Sequence, residues 1–232
     1  LADRYGAPVD PDGHRLPLVV IGMGKLGGHE LNLSSDIDLV FCYPQAGVCS
    51  GPRALSGEQF FLRLTRNVVR SLSEMTHDGF CFRVDTRLRP FGNAGPLVST
   101  LAALEQYYQR EGRDWERYAL VKARPVAGDR RTAERFINDV RPFVYRRYID
   151  YSAVESLQEM HASVQEDARR RDRLDDIKRG PGGIREIEFL AQCFQILRGG
   201  REPGLQTPRL DRALEEIGHL GLLEEALIES LR

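Results

Sequence analysis

Cysteine is scarce in these 232 residues: Cys42, Cys49, Cys81 and Cys193 are the whole supply. They are too few and too scattered for a disulfide framework, and neither a C-x-x-C pair nor any His/Cys spacing points to zinc, so reduced thiols in a cytoplasmic protein are expected. Long hydrophobic runs are missing too. The longest, residues 16–23, gives way to Gly24 and Lys25 and falls far short of the ~20 residues that cross a bilayer, which excludes a transmembrane helix and a membrane partner. The start, Leu1-Ala2-Asp3-Arg4-Tyr5-Gly6, has no basic segment followed by an apolar one and no Met. No signal peptide is expected, and the chain reads as a segment of something longer. A charge surplus is also lacking. With 33 Lys+Arg against 34 Asp+Glu the formal net charge is −1, whereas a general nucleic-acid binder rests on a clear cationic excess. Any phosphate chemistry must therefore be local.

What is present, 29% charged and 41% apolar residues, can bury one good core or two small ones sharing an interface. Periodicity divides the chain. Three strand-like segments are expected at residues 16–21, 36–43 and 80–88. In the second, Ile37, Leu39 and Phe41 alternate with Asp36, Asp38 and Val40; in the third, Phe80, Phe82 and Val84 alternate with Cys81, Arg83 and Asp85. Between these two, after a Gly/Pro/Ser-rich loop, Phe61, Leu64, Val68 and Leu72 recur at helical spacing behind Ser56 as a candidate cap. Beyond Gly95 the reading is helical, over residues 101–110, 115–124, 133–144, 152–171, 184–197 and 208–231. The fold class is thus α+β, a small mixed sheet flanked by helices and followed by a helical bundle. The charged, then glycine-rich stretch 171–183 is the clearest joint.

The densest motif runs from Gly22 to Leu39. Gly22, Gly24 and Gly27 spell G-x-G-x-x-G after a strand. The dinucleotide reading fails, because Gly28 interrupts the helix that should follow and the acids open the next strand. A P-loop fails because Leu26, not Ser or Thr, follows Gly24-Lys25. Asp36-x-Asp38 is sharper. Period two points both carboxylates to one side of a strand, which is costly unless a cation lies between them. Mg²⁺ takes one or two carboxylates plus substrate phosphates, so a D-x-D strand behind a Gly/Ser turn suits a nucleotide. Asp85 can supply the third carboxylate of a two-metal phosphoryl-transfer site. Arg83, Arg87 and Arg89 around Asp85, and Lys25 in the glycine turn, are candidate phosphate ligands, guanidinium forks matching phosphate oxygens. Trp115 is expected in the core. Gly180-Pro181-Gly182-Gly183 opens a helix, where Glu186 and Glu188 fall on opposite sides and cannot act as a pair.

Four separated blocks together resemble the glutamine synthetase adenylyltransferases, two-headed bacterial enzymes of the DNA polymerase β-like nucleotidyltransferase superfamily. They are Gly22-Met23-Gly24-Lys25-Leu26-Gly27-Gly28 with Ser35-Asp36-Ile37-Asp38-Leu39; Val84-Asp85-Thr86-Arg87-Leu88-Arg89-Pro90-Phe91-Gly92 with Gly95-Pro96-Leu97-Val98; Trp115-Glu116-Arg117 with Ala123-Arg124; and Gly182-Gly183-Ile184-Arg185-Glu186-Ile187-Glu188-Phe189. The stretches Gly112-Arg113-Asp114-Trp115-Glu116-Arg117-Tyr118, Tyr145-Arg146-Arg147-Tyr148-Ile149-Asp150-Tyr151-Ser152 and Gly199-Gly200-Arg201-Glu202-Pro203 are similar to the N-terminal, adenylyl-removing half of that family.

The resemblance implies a polymerase β-like catalytic domain over residues 1–130 and a truncated helical bundle over 131–232. It implies metal-dependent phosphorolysis, in which inorganic phosphate removes AMP from adenylylated glutamine synthetase and leaves as ADP. Asp36, Asp38 and Asp85 are then the catalytic and metal ligands, for two Mg²⁺ ions. Gly24, Lys25, Gly27, Gly28, Ser34, Ser35, Arg83, Arg87 and Arg89 contact phosphate. Glutamine synthetase is the protein substrate and the PII signal protein a further partner. The alternatives are AMP transfer from ATP to a glutamine synthetase tyrosine, and a non-catalytic module docking glutamine synthetase or PII.

Overall fold

Nothing in the stretch Val19–Met23 needs water except its backbone, and all five of its residues are buried as strand β2. The computed structural model describes residues 1–51, 55–148 and 183–231, with the helical positions 155, 158, 159, 162 and 166. In it β2 lies between β3 (Ile37–Tyr43) and β7 (Arg124–Gly128), antiparallel to both. Along the far side of β3 run two short parallel partners, β5 (Val84–Asp85) beside its first residues and β6 (Val98–Thr100) beside its last. The result is a mixed five-stranded sheet. A separate two-stranded pair joins β1 (Pro8–Val9) to β4 (Val48–Cys49).

Helix α3 (Gly57–Ser73) starts where expected. The Ser56 hydroxyl accepts the Gln59 N–H at 3.2 Å, satisfying one of the donors left over at a helix start. Its buried face carries Phe60 and Phe61, and the Phe61 ring stacks on Tyr43 with centroids 4.4 Å apart. Leu39, Phe41 and Tyr43 of β3 join Val20, Phe61 and Val98 in one core cluster. Each such side chain contributes about 1.5–3 kcal/mol on burial.

Antiparallel pairing of β2 with β3 across the short helix α2 (Gly24–Gly27) agrees with the rejection of a dinucleotide fingerprint, whose strands are parallel. Several expectations need correction. The strand over 80–88 contracts to Val84–Asp85, and Phe80 and Phe82 are 45% and 40% exposed. A turn precedes it, with Thr76 and Gly79 exchanging backbone hydrogen bonds and Gly79 in the left-handed region at φ 98°, and the irregular residues 80–83 that follow put the alternating phenylalanines in no pleat. The helix expected over 115–124 ends at Leu120 as α5 (Asp114–Leu120), and Arg124–Gly128 is a strand. The reason is Pro125. A residue before proline is pushed out of the helical region, and proline is tolerated on an edge strand, here at a register shift opposite Val20 and Ile21. The segment 208–231 is two helices, Leu210–His219 and Glu225–Leu231, separated at Gly221 with φ 62°. Trp115 is 39% exposed and is not core.

The chain packs into two compact units, residues 1–111 with 123–140 and residues 112–122 with 141–232. The first holds the sheet. In the second, the helix Ile184–Arg198 packs through Ala191 against Leu205, Leu214 and Ile217. Gln195, buried there, donates both amide hydrogens, to the Leu205 and Thr207 carbonyls at 2.7 Å each. Glu116, also buried, accepts the Arg113 N–H at 2.9 Å at the start of α5. Most of the helix expected over 152–171, and the glycine turn at 180–182, lie outside the described residues. Among the described residues no helix is long and apolar enough to cross a membrane.

Candidate active site at the carboxylate end of the sheet

The sheet gathers three carboxylates at one end. Period two puts Asp36 and Asp38 on the same side of β3, and farther along that side Val40 and Cys42 are buried. The parallel register sets Asp38 directly beside Asp85, on strands that run ~4.8 Å apart. On the opposite neighbour, Met23 is the register partner of Asp38, so the glycine turn leaves β2 beside the same carboxylate.

Gly24 has two reasons to be glycine. Its φ of 51° is left-handed, and a Cβ there would lie 2.6 Å from Asp38 Oδ2. The backbone thus approaches the carboxylate more closely than any side chain allows. Gly28 N–H closes the turn on the Gly24 carbonyl at 3.0 Å. Arg124 clamps it from β7, its guanidinium donating to the carbonyls of Gly27 at 3.0 Å and Leu26 at 2.7 Å. Sequence reasoning missed this part for Arg124 by placing it on a helix; Pro125 next to it was the available signal.

The arginines divide into two kinds. Arg83 donates from Nε to Asp36 Oδ1 at 2.5 Å and from Nη2 to the Ser34 carbonyl at 2.7 Å. Arg87 engages Asp85 from Nε at 2.8 and 3.1 Å, from Nη2, and from its backbone N–H at 2.8 Å. These bonds hold the Asp85 carboxyl below its ordinary range, against the opposing effect of partial burial. The heads of both arginines face water. Arg89 is buried and braces the following turn, donating to the Thr86 carbonyl at 2.7 Å and hydroxyl at 2.9 Å. Lys25 is half-buried in α2, Ser34 is exposed, and the Ser35 hydroxyl donates to Asn32 Oδ1.

Among the described residues, the one set of three His, Cys, Asp or Glu side chains whose ligand atoms all lie within 4.8 Å of one another is Asp10, Asp12 and His14. Asp10 Oδ1 there accepts the backbone N–H groups of Asp12 and His14, which accounts for the cluster as a turn. Asp36, Asp38 and Asp85 share an edge without that convergence, two of them being held by guanidiniums. Their donor set is nevertheless the hard, all-oxygen kind that suits Mg²⁺, and Gly24 lets the backbone approach the Asp38 carboxylate. Burial pushes the Cys42 and Cys193 thiols up to about 12, far from a reactive thiolate.

Residues 1–139 match the sequence model of glutamate-ammonia ligase adenylyltransferase. The chain belongs to that family. Residues 158–232 match the model of GlnD PII-uridylyltransferase. Among its relatives is the bifunctional glutamine synthetase adenylyltransferase/adenylyl-removing enzyme of Xanthomonas axonopodis pv. citri, 55% identical over 96% of this chain. Proteins of the same name from Stenotrophomonas maltophilia and Shewanella woodyi are 55% and 50% identical over 93% and 99% of it. The chain spans about a quarter of the length of these relatives, 24%, 23% and 24% respectively. It is thus similar to part of a family of nucleotidyltransferases acting in nitrogen regulation.

Proposed function

We propose that this chain carries the adenylyl-removing activity on a polymerase β-like core: phosphorolysis of adenylyl-tyrosine on glutamine synthetase, releasing ADP. The observation that carries a nucleotidyl-transfer site is the register of Asp38 beside Asp85 with the Gly24 backbone against the Asp38 carboxylate. The relatives' name covers both adenylylation and its reversal. Removal is favoured over addition by the stretches around Trp115, Tyr145 and Gly199 that resemble the N-terminal half.

Asp36, Asp38 and Asp85 would hold Mg²⁺, two ions in this reading. Bound there, the metal neutralises charge on the phosphoryl oxygens. The turn from Gly24 to Gly28 brings backbone to the phosphate, with Lys25 beside it, and Ser34 and Ser35 offer hydroxyls. Arg83 and Arg87 orient the anionic groups, while Arg89 and Arg124 keep the two flanking turns in place. An oxygen of inorganic phosphate attacks the α-phosphorus. The bond to the tyrosine oxygen breaks, the phenolate takes a proton, and AMP joined to the attacking phosphate departs as ADP. No covalent enzyme intermediate is required. Glutamine synthetase is the protein substrate, and the cytoplasm is the proposed compartment. PII is the proposed further partner, supported by the match of residues 158–232 to a PII-modifying family.

Incubation of the chain with adenylylated glutamine synthetase, phosphate and Mg²⁺ tests the proposal. ADP formation that stops on chelation is expected. AMP transfer from ATP to the unmodified enzyme, without ADP from the modified one, assigns the chain to the opposite half. Stable complex formation with neither reaction makes it a docking module.

A further inference from the structure

The guanidiniums of Arg83 and Arg87 stand among the site carboxylates. Arg87 is bonded to both oxygens of Asp85, Arg83 holds Asp36 Oδ1, and Asp38 and Asp36 both act electrostatically on Arg87. Arg83 and Arg87 bond two of the three aspartates, and Arg89 also acts electrostatically on Asp85. A divalent cation reaching the same carboxylates would compete with Arg87 for Asp85. The Arg87 side chain is 71% exposed, and its bonds to Asp85 hold the head in place. A guanidinium freed beside newly bound metal has one kind of partner that suits both cations, a phosphate oxyanion, which its fork matches as well as it matches a carboxylate.

Resting on the metal-dependent reading above, we infer that Arg87 is an exchangeable counter-ion: it neutralises Asp85 until the metal binds, then passes to the substrate phosphate, so that metal and phosphate bind with positive coupling. Arg83 is tied down differently. Its second bond, to the Ser34 carbonyl, needs no carboxylate and keeps it at the rim when the metal arrives. Among the described residues the Arg87 guanidinium donates to Asp85 alone, and its movement changes the site most.

Direct titration of the chain with Mn²⁺, followed by electron paramagnetic resonance with and without inorganic phosphate, tests the exchange without any turnover. Asp85→Asn identifies the signal of this site, including against any contribution from Asp10, Asp12 and His14. Arg87→Gln removes the competing charge, and Mn²⁺ is expected to bind it about two- to fivefold tighter than the wild type, the range of an exposed ion pair. Phosphate is expected to tighten Mn²⁺ binding to the wild type at least about fivefold and to do so far less in Arg87→Gln, the coupling being reciprocal. Unchanged or weaker Mn²⁺ binding in Arg87→Gln, or coupling that survives the substitution, overturns the exchange while leaving the metal site intact. Mn²⁺ binding indifferent to Asp85→Asn overturns the metal reading itself, and the exchange with it.

Discussion

Two sets of ion pairs in this chain use the same residue types to opposite ends. In the helical unit, Lys122 meets Glu188 at 2.6 Å with side chains only 7% and 19% exposed, and buried Arg117 donates to Asp114 at 3.1 Å and to the Val144 carbonyl at 3.2 Å. At the carboxylate end of the sheet, Arg83 and Arg87 reach Asp36 and Asp85 from water. Removing one partner of a buried pair strands a desolvated charge, whereas an exposed pair is worth little and is easily traded. The difference separates charge that holds a fold from charge that, in the proposed function, stays available for chemistry. Burial of the cation separates them here, since Arg83 and Arg87 face water while Lys122 and Arg117 do not; the acids Asp85 and Glu188 are both largely covered.

The sharpest break in that comparison is expected at the site. Asp38→Asn or Asp36→Asn keeps volume and removes a proposed metal ligand, so the proposed phosphorolysis is expected to fall by at least about a thousandfold, on the scale of losing a transition-state charge contact, with the denaturation midpoint nearly unchanged. Unfolding of the variant, or activity within a few-fold of wild type, contradicts the assignment. Glu188→Ala is expected to do the reverse in kind, lowering stability by about 3 kcal/mol in urea titration through the buried Lys122 charge. The paired replacement Lys122→Met with Glu188→Leu is expected to recover most of that loss. A single variant as stable as wild type means the pair is solvated in practice.

Gly24→Ala sharpens the comparison from the backbone side. The left-handed φ costs about 1 kcal/mol for a side chain, and the added Cβ pushes Asp38 aside. Weaker Mn²⁺ binding together with the modest stability loss is expected; stability loss alone would detach the turn from the carboxylates. The smallest effect is expected at Asp211, an exposed acid that Arg209 holds down to about 2. A carboxyl lowered in the folded state stabilises above its unfolded value and loses that contribution as pH falls through the folded one. Asp211→Asn is therefore expected to lower Tm slightly at neutral pH, with the difference closing between about pH 4 and 2.

Much of this was legible beforehand because period and capping are local. Ser56 and the spacing of Phe61, Leu64, Val68 and Leu72 mark helix α3, and alternation puts Asp36 and Asp38 on one side of β3. The third strand is shorter than its alternation suggests, since Phe80 and Phe82 alternate beside a turn and not in a ladder, and alternation carries no information about whether a partner strand is present. Strand β7 was hidden because helical spacing in 115–120 was extended across Pro125. The bonds from Arg124 to Leu26 and Gly27 and from Lys122 to Glu188 join residues far apart in sequence, which no local pattern announces. The same holds for the alignment of Asp85 with Asp38: the sequence offered Asp85 as a third acid, and only strand register brings it alongside.

The central claim, that inorganic phosphate is the nucleophile at the Asp36, Asp38 and Asp85 site, is tested most directly by tracing labelled phosphate. Incubated with adenylylated glutamine synthetase and Mg²⁺, the chain is expected to place the label in the β-phosphate of ADP, and the Asp38→Asn variant is expected to place none. Release of unlabelled AMP by the wild type, or labelled ADP formed equally well by the variant, would contradict it.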